Sequence, residues 1–461
     1  MLVDIYAEYV RHDTARDLPA EVIHHAKRAL LDWFSALIPG TRVSPGVNLV
    51  KAYADELGYG KSSLPGFGTV AFPGTAAFIN GSASHSVEFD DIFRDAIFHP
   101  GCPTIAAALA VAEDRSSSGL ELLKAITIGY EISTRIGAAM QPSHYKFFHT
   151  TGTAGCFGGA GAAVALVAPQ NANAARHALA TAASLAAGLQ QAFRSDAMTK
   201  PQHAGHAAWV GVTAATGAAH GITGALDILE GPAGYIAALS EVAPSPRFTE
   251  GLGERYNVTA ITQKNHGCCG HTFSSLDSAL LLRAQNHLDP SEIGSIAIAT
   301  AQIPINVTGN FAPHTAYEAK FSLPYVVSHA LLYGSVRLNA FTPERLADPA
   351  IRNLMSKITL QPDAEMTARF PGMRSARVAI TMQDGRRFEH FQPHRKGDPE
   401  APLSDAELND KFHELASPVI GRQAAAQLLD QLWNMEKLRV ADLRLAALKA
   451  AEPLHLQQTA G

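Results

Sequence analysis

Residues 152–167 read GTAGCFGGAGAAVALV, and this stretch decides how the first half of the chain folds. Glycine and alanine recur throughout it, and none of its side chains is charged. The run is shorter than the ~20 residues that cross a bilayer as a helix. We therefore predict a tightly packed interior helix rather than a membrane span.

The flanking sequence carries a helical pattern from Leu18 to about Leu239. Apolar residues recur at every third or fourth position, and alanine and leucine, which favour helices, dominate. Helix and strand do not alternate here as they do in a doubly wound fold. The clearest predicted helices are Val22–Leu37, Leu120–Met140 and Arg176–Phe193.

The pattern of apolar and polar residues changes after about Ala260, where segments typical of strands appear beside segments typical of helices. Two runs in which apolar and polar residues alternate predict strands. Asp384-Gly385 predicts a turn after the second run, and the residues that follow it predict a third strand. The predicted strands are Ser295–Thr300, Ser375–Met382 and Arg386–Phe391, and the predicted helices of this part are Ser274–Gln285 and Pro324–Leu332. This part of the chain is predicted to form a small α+β domain.

The C-terminal segment Asp405–Leu448 is again helical in pattern. Ser404 and Glu407 resemble a capping box at its start. Such a segment could rejoin the first domain, which would make the α+β part an insertion. The residues alone leave that point open.

Composition indicates a soluble, cytoplasmic protein of two or three domains. The chain has 461 residues, of which 47% are hydrophobic and 17% charged, fewer than the ~25% charged residues of an average protein. This scarcity favours large buried surfaces and an oligomer. A net charge of −5 without a basic block argues against nucleic acid as a partner. Residues 1–6 lack the basic and apolar segments of a signal peptide.

The four cysteines, Cys102, Cys156, Cys268 and Cys269, predict free thiols in a reducing compartment. Two of them are adjacent, and adjacent cysteines seldom pair. No CxxC spacing indicates a zinc or iron–sulfur site.

Ionisable residues gather in a few segments of this apolar chain, which suggests acid–base chemistry. Glu88-Phe89-Asp90-Asp91 places three carboxylates shortly before His99. Acids near a histidine fix its tautomer or raise its pKa. The alternative is a solvated loop with a helix cap.

His149 opens a second such segment, in which a glycine-rich run follows Thr150-Thr151. Backbone N–H groups at such a helix start suit a carboxylate or phosphate. The alternative is that these small residues serve close helix packing.

Lys200 and two histidines form a third segment. In apolar surroundings Lys200 can act as a base or clamp a carboxylate. His203 and His206 have the spacing of a metal pair, but a third ligand has no obvious place.

The fourth segment, Lys264–His271, holds two histidines, two cysteines and a lysine. A cysteine beside lysine and histidine can act as an acid–base partner. A buried turn between domains is the alternative.

Taken together, these segments resemble the MmgE/PrpD family, which includes 2-methylcitrate dehydratases, cis-aconitate decarboxylases and iminodisuccinate epimerase. The resemblance runs from near residue 1 to about residue 445. The matching segments are Phe89-Asp90-Asp91 with His99-Pro100, His149–Thr153, Thr199–Gly205, Ala319–Tyr325 and Lys396–Pro399.

The resemblance implies a mainly α fold in which both chain ends form a large all-helical domain, 1–262 with 394–461, and residues 263–393 form an inserted α+β lid. It implies a homodimer, a site between the domains, and neither metal nor cofactor. Its site positions correspond to Asp91, His99, His149, Lys200 and Lys264. In decarboxylases of the family a histidine stands where this chain has Cys269, which favours the epimerase branch.

We therefore expect a cofactor-independent enzyme that removes a proton alpha to a carboxylate of a small di- or tricarboxylic acid, most like an iminodisuccinate-type epimerase. A dehydratase or decarboxylase-like lyase and a non-catalytic carboxylate-binding protein are the alternatives. The expected catalytic residues are Lys200, His99, Tyr145, His149 and Asp91. The expected substrate-binding residues are Lys264, His203, Cys269, His271 and Asp90.

Overall fold

A computed structural model describes residues 1–193, 197–370 and 372–450 of the chain. Two compact units are present, which we call the helical unit (Met1–Thr262 with Ser404–Gly461) and the α+β unit (Gln263–Leu403). The last eleven residues of the predicted helical domain lie outside the described residues.

The second boundary between the units falls ten residues later than the predicted 393. The reason is a turn that belongs to the α+β unit. In it Arg395 pairs with Asp398 at 2.6 Å, and the backbone N–H of Lys396 donates to Asp277 at 2.7 Å.

The helical unit is built from helices of both chain ends, with one exception to the all-helical prediction. A short antiparallel pair, β1 (Ser62–Leu64) and β2 (Thr69–Ala71), joins α3 to α4. The helices are α1 (Leu2–Ala15), α2 (Ala20–Gly40), α3 (Gly46–Ala52), α4 (Pro73–Ser84), α5 (Gly101–Arg115), α6 (Gly119–Ala139), α7 (Thr150–Val167), α8 (Ala172–Ser184), α9 (Thr199–Ala219), α10 (Tyr235–Leu239), α18 (Asp405–Ile420) and α19 (Arg422–Trp433).

Helix α7 is the glycine-rich helix, and it packs against α5, α6, α8 and α9. A Cβ added at Gly211 of α9 would lie 2.3 Å from the backbone carbon of Gly159, so the two backbones touch. With 18 residues from Thr150, α7 has the length and hydropathy of a membrane span, yet 89% of it is buried inside the structure. That burial is typical of a core helix, as predicted.

Helix boundaries elsewhere follow the apolar pattern closely, with one clear difference. Helix α2 covers the predicted Val22–Leu37, and α6 covers the predicted Leu120–Met140 except for its last residue. The segment predicted as Arg176–Phe193 instead ends its helix at Ser184. Beyond it the chain turns at Gly188, whose positive φ and close approach to Gly152 interrupt any helix.

The α+β unit contains a four-stranded sheet in the order β4-β3-β5-β6. Strands β3 and β4 pair in parallel, whereas β3–β5 and β5–β6 are antiparallel. Gly385, with a φ of 87°, makes the predicted turn of the last hairpin. The strands are β3 (Ile293–Thr300), β4 (Ile358–Pro362), β5 (Ala376–Met382) and β6 (Arg387–Gln392).

Helix α11 covers β5 and β6 and also packs against α14, so the core of this unit lies between them. Buried isoleucines Ile293, Ile296 and Ile298 of β3 contribute to it. The helices are α11 (Phe273–Asn286), α12 (Gln302–Thr308), α13 (Ala316–Lys320), α14 (Leu323–Tyr333), α15 (Pro343–Leu346), α16 (Pro349–Met355) and α17 (Ala364–Arg369).

Candidate active site

A buried acidic segment, Glu88–Asp91, follows the end of α4 in the helical unit. Glu88 has a φ of 63°, a left-handed conformation that is costly for a residue other than glycine. Its carboxylate pairs with Lys200 at the start of α9, and both residues are less than a tenth exposed. The segment is therefore not the solvated loop of the alternative prediction.

Asp91 anchors the loop that carries His99. Its carboxylate accepts hydrogen bonds from Tyr130 Oη at 2.6 Å and from the backbone N–H of Gly101, at the start of α5, at 3.0 Å. Burial raises the pKa of Asp91 to about 7, against the effect of these donors. A Cβ at Gly101 would lie 2.7 Å from Tyr130 Oη, so this close approach requires glycine. The observed contacts of Asp91 thus position the backbone next to His99.

Asp90 faces two imidazoles through one carboxylate oxygen, Oδ2. His85 Nδ1 lies 2.7 Å from it and His99 Nδ1 lies 2.8 Å from it. His85 and Asp90 are almost completely buried, and the side chain of His99 is 16% exposed. The rings of His85 and His99 meet edge to face with centroids 4.8 Å apart. Asp90 therefore contacts the predicted catalytic His99.

His149 and His203 form a second imidazole pair. Their Nδ1 atoms are 3.0 Å apart, so one nitrogen carries the hydrogen and the other accepts it. His149 also stacks on His85 at 5.6 Å. Burial lowers the pKa of His203 to about 4 and keeps that of His149 well below its ordinary value. Both rings are consequently neutral at pH 7.

Lys200 is part of the same cluster. Its charge acts on His85, His149 and His203, lowering the pKa of each in addition to the larger effect of burial. The structure therefore gathers Lys200, His99, His149, His203 and Asp90 in one buried cluster. The residues alone showed them as separate segments, and the family resemblance implied that Lys200, His99 and His149 share a site.

The start of α7 shows how its glycines are used. The backbone N–H groups of Gly152 and Thr153 donate to the carbonyl of His149. A Cβ at Gly155 would lie 2.8 Å from Pro103, and one at Gly152 would lie 2.5 Å from the carbonyl of Ala187. Close helix packing, the alternative prediction for this run, accounts for these contacts.

Three side chains in this cluster have the spacing of a metal site. Ligand atoms of His85, Asp90 and His99 all lie within 4.8 Å of one another. A metal-bound imidazole normally donates its other N–H to an acceptor, but Nε2 of His85 is buried without a hydrogen-bond partner among the described residues. This contact pattern favours a hydrogen-bonded cluster over a metal centre.

Two candidates of the helical unit remain, Tyr145 and His206. Tyr145 is half-buried in a short turn, His144–Lys146, shortly before α7. His206 approaches the carbonyl of Leu185 at 3.2 Å. Because His203 faces His149 instead, the two histidines of the HxxH spacing have different partners.

The other predicted binding residues lie in the α+β unit. Lys264 is 1% exposed and Cys269 8% exposed. The backbone N–H of Cys269 donates to the carbonyl of Lys320 at 2.9 Å. Burial, followed by the charges of Arg374 and Arg395, lowers the pKa of His271 to about 3. His271 is therefore a neutral side chain at pH 7.

Two features of the cluster were not predicted from the sequence. They are the presence of His85 and the pairing of Glu88 with Lys200. His85 stands alone among small residues at the end of α4, where nothing marks it except its position five residues before Asp90. Glu88 was noted only as one of three acids. None of the four cysteines forms a disulfide, as expected, and all four are buried.

Comparisons with known proteins match most of the chain. Residues 4–246 match the MmgE/PrpD N-terminal domain, and residues 266–435 match the MmgE/PrpD C-terminal domain. The chain is 29% identical to the cis-aconitate decarboxylase of Homo sapiens over 454 residues, 95% of this chain and 92% of that protein. It is 27% identical to a cis-aconitate decarboxylase-like protein of Aspergillus oryzae, covering 91% of each chain. Identity to the cis-aconitate decarboxylase of Aspergillus terreus is 23%, over 92% of this chain and 90% of that protein.

Proposed function

This chain belongs to the MmgE/PrpD family, and we propose from that premise that it is a lyase that decarboxylates a small unsaturated tricarboxylic acid of the cis-aconitate class. The observation that carries the proposal is the buried cluster of Lys200, His99 and His149, in a chain similar to cis-aconitate decarboxylases along nearly its full length. Here the lyase alternative takes precedence over the epimerase first expected.

The proposed chemistry needs cations near a developing negative charge and an acid that delivers a proton. When the bond to the departing carboxylate breaks, CO2 leaves and the electron pair stays on the carbon framework. The remaining conjugated carboxylate spreads this charge, and positive groups held in a dry site stabilise it. A proton then bonds to the carbon and completes the product.

Lys200 is the proposed cation for this step. Its pairing with Glu88 fixes the ammonium in the cluster, which spares the reorganisation that water would require. His99 is the proposed proton donor, because its ring is partly exposed, whereas the rings of His85 and His149 are buried. Lys264, Cys269, His271 and His203 remain the proposed carboxylate-binding residues.

Epimerisation is the second candidate, and Cys269 is the observation that favours it. The resemblance places a histidine of decarboxylases at this position, and this chain lacks that side chain. The same cluster would then remove and return a proton at the carbon alpha to a carboxylate. Dehydration and carboxylate binding without turnover are further outcomes of the same test.

One substrate screen separates these candidates. The protein is incubated with cis-aconitate, 2-methylcitrate and iminodisuccinate in heavy water, and proton NMR follows each acid. Decarboxylation of cis-aconitate, with deuterium incorporated at the carbon that takes up the proton, supports the proposal. Exchange at the alpha carbon of iminodisuccinate without loss of carbon would replace it with epimerisation, and loss of water with dehydration. Binding without any reaction would contradict an enzyme.

The Lys200→Ala variant tests the cation directly. We expect kcat to fall by about 10²–10⁴-fold, the usual contribution of a positioned catalytic group. Lys124→Ala is the matched control, because Lys124 is also a buried lysine but donates to the carbonyl of Arg16 at 2.6 Å, outside the cluster. Equal rates for both variants would remove Lys200 from the mechanism.

A Cys269→His variant tests the departure from the decarboxylase pattern. If Cys269 limits decarboxylation, the variant should release CO2 faster from cis-aconitate. An unchanged rate would show that this position does not decide between the two reactions.

A cytoplasmic homodimer is part of the same proposal, and light scattering of the purified protein tests the dimer.

A further inference from the structure

The Asp90 carboxylate lies between two imidazoles, and neither it nor His85 belongs to the expected catalytic set. Both contacts reach the same oxygen, from His85 Nδ1 at 2.7 Å and from His99 Nδ1 at 2.8 Å. The thiol of Cys102 approaches this oxygen as well, at 3.4 Å. Such an arrangement binds no external group by itself, but it constrains where the hydrogens of both rings lie.

The hydrogen-bond partners of the two ring nitrogens of His85 indicate which nitrogen carries the hydrogen. Its Nε2 is buried and has no hydrogen-bond partner among the described residues. A hydrogen on that nitrogen would be a buried donor without an acceptor, which is unfavourable. The hydrogen of neutral His85 therefore lies on Nδ1 and is donated to Asp90. The ring of His85 stacks on His149, which holds it in this orientation.

A carboxylate oxygen accepts hydrogens and cannot donate one while it is ionised. An Nδ1 of His99 without a hydrogen would face this oxygen lone pair to lone pair at 2.8 Å, so the short contact favours a hydrogen on Nδ1 of His99. That contact has the length of a hydrogen bond but lacks full alignment. Contacts of this kind often tighten only when the substrate binds.

We propose that Asp90, oriented by His85, is a positioning residue that keeps the hydrogen of His99 on Nδ1 and so leaves Nε2 as the atom that exchanges a proton with the substrate. This inference rests on the proposed function and adds the orientation of its proton donor. It also changes the expected role of Asp90 from substrate binding to support of His99.

The proton balance of the step is simple. His99 binds one proton from solvent at Nε2 and becomes an imidazolium, which Asp90 stabilises through Nδ1. When CO2 leaves, the Nε2–H bond breaks, and this proton forms the new C–H bond. His99 returns to the neutral Nδ1–H tautomer, and Asp90 remains ionised throughout.

The test begins with the wild-type protein and does not depend on turnover. Protein labelled with ¹⁵N at its histidine rings is measured by NMR at neutral pH, with His99 assigned by comparison with the His99→Gln variant. Protonated and unprotonated ring nitrogens resonate in separate ranges. A hydrogen on Nδ1 of His99 supports the inference, and a His99 protonated only on Nε2 overturns it.

The second part uses the Asp90→Asn variant, whose amide keeps the shape of the carboxylate but removes its charge. We expect kcat to fall by about 10²–10⁴-fold while KM changes less than about 3-fold, since the imidazolium loses its support. Asp13→Asn is the matched control, because Asp13 is also buried and lies 3.1 Å from a histidine nitrogen, that of His12. Unchanged kcat in Asp90→Asn would overturn the inference.

The two proposals fail in different ways. If none of the three acids reacts, the proposed function is contradicted, and the NMR measurement still decides the tautomer of His99. If cis-aconitate is decarboxylated but His99 carries its hydrogen on Nε2, only the positioning role of Asp90 is wrong.

Discussion

A buried ion pair connects the two chain ends of the helical unit, and the fall in Tm expected when it is removed can be estimated. Lys411 of α18 donates to Asp32 of α2 at 2.6 Å and to the carbonyl of Phe89 at 2.9 Å. Both charged side chains are at most 1% exposed. Phe89 lies inside the acidic segment, between Glu88 and Asp90, so this pair also supports the candidate site.

Replacing Lys411 alone with methionine leaves the Asp32 carboxylate buried without its cation. Breaking a buried pair in this way costs about 3–5 kcal/mol. For the roughly 320 residues of the helical unit, the unfolding entropy is about 0.7 kcal/mol/K, so the Tm should fall by about 4–7 °C. Differential scanning calorimetry at neutral pH measures this shift in the transition of the helical unit.

The double variant Asp32→Leu/Lys411→Met separates charge from positioning. Replacing both partners with apolar residues removes the uncompensated charge, so the Tm should recover most of the loss. The carbonyl of Phe89 still lacks its donor, and kcat should therefore stay below that of the wild type. A single variant within about 1 °C of the wild type, or a double variant no more stable than the single one, would refute the reasoning.

Two further predictions concern the stability of the helical unit. Burial lowers the pKa of His85 to about 4, so its stabilising effect is complete above about pH 6.5 and fades as the pH falls, with about 2 kcal/mol lost at pH 5. His85→Gln should weaken the decline of the urea midpoint between pH 7 and pH 5, and an unchanged decline would contradict the burial argument. Gly211→Ala should destabilise by about 3 kcal/mol or more, because its Cβ meets the backbone of Gly159. Gly217→Ala, whose Cβ would meet only the flexible end of Ile222, should leave the Tm within about 2 °C, and equal effects of both changes would contradict the packing argument.

Local pattern was enough to predict most elements of the fold. The apolar repeat of Val22–Leu37 predicted α2, and the strand alternation around Asp384-Gly385 predicted the hairpin of β5 and β6. The capping box at Ser404 is present, with Glu407 bonded back to it. These features depend on neighbours within a few residues, and such neighbours are visible in a sequence. The helix that ends early at Ser184 is the informative exception, because the turn at Gly188 that follows it packs against the distant Gly152, a contact that no local pattern shows.

The acid–base residues themselves were visible in the sequence, but their partners were not. The sequence alone determined that this chain carries scarce ionisable groups in four segments of an apolar scaffold, because composition and local spacing show this directly. Only the tertiary structure decided that Glu88 pairs with Lys200, that Asp90 faces His85 and His99, and that His149 meets His203. Lys200 and His203 each stand more than fifty residues from their partners, Glu88 and His149, so no local pattern shows these contacts. Burial strengthens them, because water no longer competes for the same polar groups.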